Sequence, residues 1–349
     1  MNVSANKITP VILCGGKGTR LWPRSRAAKP KPFLPLVRDE TLFEQALLRC
    51  ADAAHFHAPI IVTGAQHVGL VESQLTVAPE AELIVEPMAK NTAAAIALAA
   101  MRLPQDSIML VCPSDHHIGD FQAFINAVKA AAELANDGWL VAFGIEPRGP
   151  EIGFGYLRKG EAIGKLGFKV AQFVEKPDFA RAQAYLESGE YAWNGGIFAF
   201  GVRHYLAELE RYRPEMVDSL RQAIDCGSEE GRHFYPGAAS FANIVSESVD
   251  YALMENTVRA AMIPAEMAWS DVGNWRDLHG ARDRDEFGNA IRGPAEIVDC
   301  RNVLVESDGP TVHLIGLNDV IVVIDGNDVM ITSANGAHKV GTLRAATTQ

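Results

Sequence analysis

The 349-residue sequence predicts an α/β fold. The expected form is a Rossmann-like, mostly parallel sheet with helices on both faces, followed by a small C-terminal β domain shaped as a partial β-helix. Three observations predict it. Short unbroken apolar runs alternate with longer helical patterns in the first half. The first of these runs, Val11-Ile12-Leu13-Cys14, ends on Gly15-Gly16. After about Asp285 the helical pattern gives way to closely spaced β-rich runs. A strand covered on both faces reads as a continuous apolar run, and parallel neighbours need a crossover between them.

The elements follow in order. Strand-like runs lie at residues 11–14, 59–63, 83–85, 108–112 and 139–143, and helix-like stretches at 42–54, 66–75, 92–101 and 121–134. Ligands of such sheets bind beyond the carboxyl ends of the strands. From about residue 150 the rhythm loosens, with strands at 169–174 and 196–200 and helices at 179–186 and 204–210. These extend the same sheet. The tail carries Asn302-Val303, Asn318-Asp319 and Asn327-Asp328, each leading into a short β-rich run. Their unequal spacing denies a strict repeat. The tail is then either a small β domain, apolar enough for a dimer surface, or a simple sheet capping the rest.

Composition sets outer limits. With 48% hydrophobic and 21% charged residues, the chain is neither disordered nor collagen-like. Lysine and arginine total 32 against 43 acids, a net charge of −11, which argues against nucleic-acid and membrane-surface partners. No apolar run approaches the ~20 residues of a membrane span. The first ten residues lack the features of a secretory signal. The five cysteines are scattered and never form C-x-x-C, so reduced thiols and a cytoplasmic location are expected.

The strongest local signal is Gly15-Gly16-Lys17-Gly18-Thr19-Arg20-Leu21-Trp22-Pro23, with Pro30-Lys31-Pro32-Phe33 a few residues on. Glycines after a buried strand let backbone N–H groups approach an anion. Arg20 and Lys31 add the fixed cations that a polyphosphate needs. Two familiar phosphate motifs fail. Gly16-Lys17 is followed by Gly18 and not by Ser or Thr, so there is no P-loop. Gly16-x-Gly18 is followed by Leu21 where the dinucleotide fingerprint needs a third Gly or Ala.

Together these segments resemble the sugar-1-phosphate nucleotidyltransferases. Within that family, Trp22, Ser25 and the later segments are similar to the members that transfer a guanylyl group to mannose 1-phosphate. The resemblance runs from about Pro10 into the tail. It implies a catalytic domain at residues 1–284 and a C-terminal β domain at 285–349. The implied reaction moves GMP from GTP to mannose 1-phosphate, giving GDP-mannose and pyrophosphate. It depends on Mg²⁺ and needs no covalent intermediate. Alternatives are a thymidylyl- or uridylyltransferase of the same family, or a regulatory subunit that binds a nucleotide sugar without turnover. A homodimer is expected. Some family members add an isomerase domain of cupin type, for which a chain ending at Gln349 leaves no room, so isomerase activity is expected to be absent.

The resemblance assigns the site residue by residue. Gly15, Gly16, Gly18, Thr19 and Ser114 would hold the nucleotide, with Arg20 and Lys31 on its β- and γ-phosphates. Glu86-Pro87-Met88-Ala89-Lys90-Asn91-Thr92 would lie beside the base, with Asn91 or Thr92 as helix N-cap. A Glu86 carboxylate can accept both N–H groups on guanine's Watson–Crick edge, which thymine cannot offer. Asp115, in Cys112-Pro113-Ser114-Asp115-His116-His117, and Asp271, in Trp269-Ser270-Asp271-Val272-Gly273, would hold Mg²⁺. Adjacent histidines on one turn make a poor zinc site. Gly155, Glu175 and Asn194 would contact the sugar, and Lys176 its phosphate. Trp193 either stacks on the sugar or packs, and Arg24, Arg26 and Lys29 either screen the triphosphate or are solvated.

Overall fold

The apolar runs become the strands of an eleven-stranded sheet in the computed structural model, which describes residues 7–16 and 19–347. In chain order the strands begin β1 (Ile8–Cys14), β2 (Ile60–Gly64), β3 (Glu82–Glu86) and β4 (Ile108–Pro113). The two-residue β5 (His117–Ile118) stands outside the sheet. Then follow β6 (Leu140–Ile145), β7 (Tyr156–Ile163), β8 (Gly167–Val174), β9 (Tyr191–Gly201), β10 (Ser228–Glu230), β11 (His233–Tyr235) and β12 (Ala260–Pro264). Their order across the sheet is β10-β11-β3-β2-β1-β4-β9-β6-β12-β8-β7.

The parallel character is confined to β11-β3-β2-β1-β4 and to the pair β6–β12. Strand β9 runs antiparallel to both β4 and β6, with an irregularity between Ala142 and Gly144. Strands β7 and β8 form a hairpin. The sheet is therefore mixed. Its early strands are linked by helical crossovers, which permit parallel pairing, whereas the three residues between β7 and β8 permit only an antiparallel turn.

The expected helices at 92–101 and 121–134 form as Asn91–Met101 and Phe121–Asn136. The first is buried along its alanine run, from Ala93 to Ala100. The second opens on Asp120, whose carboxylate accepts from Ala123 N at 2.9 Å. Val11, Ile60, Val62, Ile84, Met109 and Val111 join the buried helix in one apolar core.

Spatially the chain forms two units. The first comprises Met1–Gly15, Ala46–Ser114 and Asp120–Trp269, and holds the large sheet; the second comprises Gly16–Gln45, Asp115–Gly119 and Ser270–Gln349. This grouping differs from a single cut after residue 284. The reason is an apolar cluster in which Leu21, Trp22, Leu34, Leu36 and Leu42 pack with Trp275, Leu304, Ile321 and Val340. Trp275 Nε1 also donates to the Trp22 carbonyl at 2.9 Å.

The tail begins after β13 (Trp269–Ser270) with β14 (Ala290–Arg292), β15 (Ala295–Val298), β16 (Leu304–Ser307), β17 (Val312–Ile315), β18 (Val320–Asp325) and β19 (Asp328–Ser333). Strand β14 pairs in parallel with β16, β16 with β18, and β15 with β17. Each strand thus lies on the next coil of a partial β-helix, which β19 closes by folding back antiparallel. Asp299, Asn302 and Asp319 turn the coils at φ of 53°, 53° and 55°, which Asn and Asp tolerate better than other side chains. Asn302 Nδ2 donates to Asp319 Oδ1 on the neighbouring coil. Buried Asn289 donates to Asp285 and to the Cys300 carbonyl and accepts from Val303 N, so its amide is satisfied.

Among the five cysteines Cys226 alone is exposed. Among the described residues no helix is long and apolar enough to cross a membrane.

Candidate active site

In the second unit, the glycine-rich loop leads into a 3₁₀ turn, Thr19–Leu21. Gly16 takes φ +102°, which only glycine adopts readily; Gly15 is also exposed, and Gly18 lies outside the described residues. Leu21 is fully buried and anchors the turn, leaving Arg20 exposed beside half-buried Thr19.

Lys31 sits in a second 3₁₀ turn, Lys31–Phe33, with Pro32 just inside it. Its side chain is only 8% exposed. A buried ammonium must be paired. Lys31 Nζ lies 2.8 Å from Asp115 Oδ2 and also donates to the Asp271 carbonyl. One cation thereby joins the two aspartates that the resemblance assigns to the metal. Burial pushes the Asp115 carboxyl up, but the Lys31 ammonium and His116 outweigh it and hold the group below the usual aspartate value. His116 Nε2 is 3.9 Å from Asp115 Oδ1.

Asp271 is shaped by its own turn. Its Oδ1 accepts from Gly273 N at 3.1 Å, while Ser270 Oγ accepts from Val272 N at 3.1 Å. Val272 is held at φ 46°, a left-handed conformation that a β-branched residue strongly disfavours. Strain of this kind persists where the surroundings over-determine it, and it concentrates at functional sites. Among the described residues no group of three or more His, Cys, Asp or Glu could hold a metal. The pair Asp115 and Asp271 fits Mg²⁺, which needs one or two protein carboxylates and takes phosphate oxygens and water besides.

In the first unit, Glu86 ends β3. Its Oε1 is buried without a hydrogen-bond partner among the described residues, and burial raises its pKa to about 7. The helix that follows does not begin as expected, because neither Asn91 nor Thr92 serves as N-cap. Lys90 occupies that position without a side-chain cap. Asn91 stands at φ 67° and accepts from Thr92 N, while Thr92 Oγ1 accepts from Val249 N at 2.9 Å. Lys90 Nζ donates to the carbonyls of Ala242 and Ile244, both at 2.7 Å. The loop is therefore set by tertiary contacts with residues 242–249, which override local capping preference. Ser114 is fully buried, its Oγ without a hydrogen-bond partner among the described residues and its N–H donated to the Leu13 carbonyl.

The same unit gathers Gly155, Glu175, Lys176 and Asn194. A Cβ on Gly155 would meet Glu175 Oε2 at 2.6 Å and Asn194 Cβ at 3.2 Å, so a larger residue would displace the Glu175 carboxylate. Asn194 N donates to the Gly155 carbonyl at 2.7 Å. Lys176 takes φ 48°, and its Nζ lies 3.0 Å from Glu175 Oε1. The hydrogen bond to Glu175 raises the Lys176 pKa, so the side chain, half exposed, stays cationic. Trp193 is buried edge-on to Phe154, with ring centres 5.2 Å apart, and therefore packs.

Asp250 joins this cluster without any signal in the sequence. It opens a single π-helical turn, Asp250–Met254, and accepts from Asn194 Nδ2 at 2.8 Å. Such turns are uncommon and recur at functional sites. Burial, and then Glu175, push its pKa to about 6. No motif surrounds Asp250 in the sequence; a carboxylate beside an apolar run that must turn sharply is the only trace.

The model of a family described as nucleotidyl transferase matches residues 9–286 of this chain. A Xanthomonas campestris pv. campestris protein named xanthan biosynthesis protein XanB is 41% identical over 330 residues, 93% of this chain and 70% of its own length. An Escherichia coli K12 protein named mannose-1-phosphate guanylyltransferase is 38% identical over 349 residues, 97% of this chain and 73% of its own. A crystal structure titled mannose-1-phosphate geranyltransferase, from Thermus thermophilus, superposes with a TM-score of 0.86 at 30% identity, covering 96% of this chain and 97% of that one.

The raised Asp250 pKa has a sign that can be tested. In the unfolded chain its carboxyl ionises near 3.8, but in the folded protein near 6. The folded state therefore binds the proton more tightly, and Asp250 lowers stability as pH rises through that window. Asp250→Asn should raise the melting temperature more at pH 8 than at pH 4 in thermal unfolding. An equal change at both values would contradict the assigned ionisation.

Proposed function

The chain belongs to the nucleotidyl transferase family, and we propose that it transfers GMP from GTP to mannose 1-phosphate, giving GDP-mannose and pyrophosphate. The observation that carries this reading is Lys31 joined to Asp115 and Asp271, in a chain similar over nearly its whole length to proteins named for that reaction. A phosphate oxygen of mannose 1-phosphate forms the new bond to the α-phosphorus of GTP. The bond from that phosphorus to the bridging oxygen of the β-phosphate breaks, and pyrophosphate leaves. The attacking phosphate monoester is mostly dianionic at pH 7, so no general base is needed. The difficulty is that two anions must meet, and catalysis reduces to positioning and positive charge.

Each side chain has a role in that task. Lys176 would neutralise the sugar phosphate, while Glu175, Asn194 and the backbone at Gly155 contact the sugar. Asp250 is added to this group through its bond to Asn194. Arg20 and Lys31 would stabilise the leaving β- and γ-phosphates. Gly15, Gly16, Gly18, Thr19, Asn91, Thr92 and Ser114 would frame the nucleotide. Asp115 and Asp271 would hold Mg²⁺, which when bound would supply further positive charge to the triphosphate. We place the enzyme in the cytoplasm and infer a homodimer, the latter supported by the exposed Val298, Ile315, Val329 and Ile331 of the tail.

The test is pyrophosphate release from every pairing of GTP, ATP, UTP and dTTP with mannose 1-phosphate or glucose 1-phosphate, with and without Mg²⁺. Mg²⁺-dependent release confined to GTP with mannose 1-phosphate is expected; release with another pair would discard the guanylyl–mannose assignment. Glu86 should read guanine only when ionised, so the KM for GTP should rise as pH falls through about 7. Glu86→Gln should flatten that dependence and weaken the preference for GTP; a Glu86→Gln enzyme that still selects GTP would remove Glu86 from base recognition. Asp271→Asn should lower kcat by ~10²-fold or more, the scale of preorganised charge stabilisation. A near-wild-type rate would take Asp271 out of the metal site.

A further inference from the structure

Arg24 and Arg26 are partly buried, and both are held by acids of the tail. Both Arg24 Nη atoms are engaged, Nη2 with Glu306 Oε1 at 3.2 Å and Nη1 with Asp325 Oδ1 at 3.1 Å. Arg26 Nη2 meets Asp325 Oδ2 at 2.7 Å and Asp328 Oδ2 at 3.0 Å. Asp325 thus gives one oxygen to each arginine. The Glu306 side chain is 2% exposed, and its second oxygen is held by Arg282. The acids stand on β16, β18 and β19 of the C-terminal β-helix. The arginines stand between the two cations assigned to the leaving group, Arg20 and Lys31.

The segment they occupy is tightly coiled. Trp22 N donates to the Thr19 carbonyl, Ser25 N to the Leu21 carbonyl, and Arg26 and Lys29 exchange backbone hydrogen bonds. Arg26 Nε also donates to the Pro23 carbonyl at 2.8 Å. Displacing Arg24 or Arg26 therefore displaces the whole coil. Arg20 itself is exposed and makes no ion pair among the described residues. Its place is set by the backbone and by the tail's 3₁₀ stretch Ala334–Thr342, where a Cβ on Gly341 would meet Arg20 Cγ at 3.0 Å.

We propose that Glu306, Asp325 and Asp328 are positioning residues for nucleotide binding: by clamping Arg24 and Arg26 they fix the coil that presents Arg20 and Lys31 to the β- and γ-phosphates. The C-terminal β-helix is then part of the phosphate-binding apparatus. This inference rests on the roles given above to Arg20 and Lys31. A clamp of partly buried charges suits such a task, because buried ionic contacts contribute little net stability but enforce one geometry.

Asp325→Asn keeps the shape and removes the charge shared by the two arginines. It should raise the KM for GTP about tenfold, as expected for a modest misplacement of binding groups, and leave the KM for mannose 1-phosphate unchanged. Hydrogen exchange in peptides covering residues 19–31 should quicken, while exchange in the large sheet stays as in the wild type. Arg26→Met should behave alike, and the losses in the double variant should be less than additive, since the two residues share one contact while each keeps another, Asp325 with Arg24 and Arg26 with Asp328. Asp328→Asn provides a milder second variant should Asp325→Asn fold poorly. An unchanged KM for GTP with unchanged exchange at 19–31 would overturn the proposal. So would an equal loss in both KM values with a general rise in exchange, which marks a purely structural role. If the wild type releases no pyrophosphate from GTP, the proposed reaction fails, and exchange at residues 19–31 still decides whether the clamp exists.

Discussion

One buried ammonium organises the charged half of this molecule. Lys31 Nζ is paired with Asp115 and donates to the backbone of Asp271, so a proline-flanked turn, the second residue past β4 and a strained turn near the tail converge on one point. A buried cation without such partners would cost several kcal/mol, far more than a surface pair returns. The fold is therefore constrained to keep the three segments together. This constraint also answers the apparent conflict between a net charge of −11 and anionic substrates. What binds a polyphosphate is the local arrangement of fixed cations, not the sum over the surface.

Strain marks the same places as charge. Val272 and Lys176 both hold left-handed backbone conformations, one beside Asp271 and one at the residue assigned to the sugar phosphate. Neither residue type adopts that region readily. Each is held by neighbours: Val272 by the Ser270 hydroxyl and by complete burial, Lys176 by the Phe154 carbonyl that accepts its N–H. Surroundings that over-determine the backbone in this way would hold the residues assigned to metal and sugar phosphate in place before any substrate arrives, which is what a reaction driven by positioning requires.

The centre of the sheet is legible in the sequence because strands such as β1, β2, β4 and β6 are buried on both faces and appear as unbroken apolar runs. The parallel core β3-β2-β1-β4 follows directly from the crossovers between them. The antiparallel insertion of β9 between β4 and β6 is not legible, since both directions of pairing accept the same apolar pattern. In the tail, Asn302 and Asp319 signal turns, yet their stacking on neighbouring coils depends on a register no single run reveals. The motif residues stand out because glycines, cations and carboxylates cluster in the sequence. Asp250 and the partners of Arg24 and Arg26 do not, because their meaning lies in contacts spanning tens to hundreds of residues. The start of the helix at Asn91 departs from expectation for a related reason: contacts with residues 242–249 replace the expected cap.

If this arrangement of charge is what catalyses the reaction, transfer occurs in one in-line displacement at the α-phosphorus, with no enzyme-bound nucleotidyl group. The stereochemical course tests that most directly. With GTP carrying a single sulfur of known configuration on its α-phosphorus, the product nucleotide sugar should show inverted configuration there. Retention would require two displacements and a covalent intermediate, and would contradict catalysis by positioned charge alone.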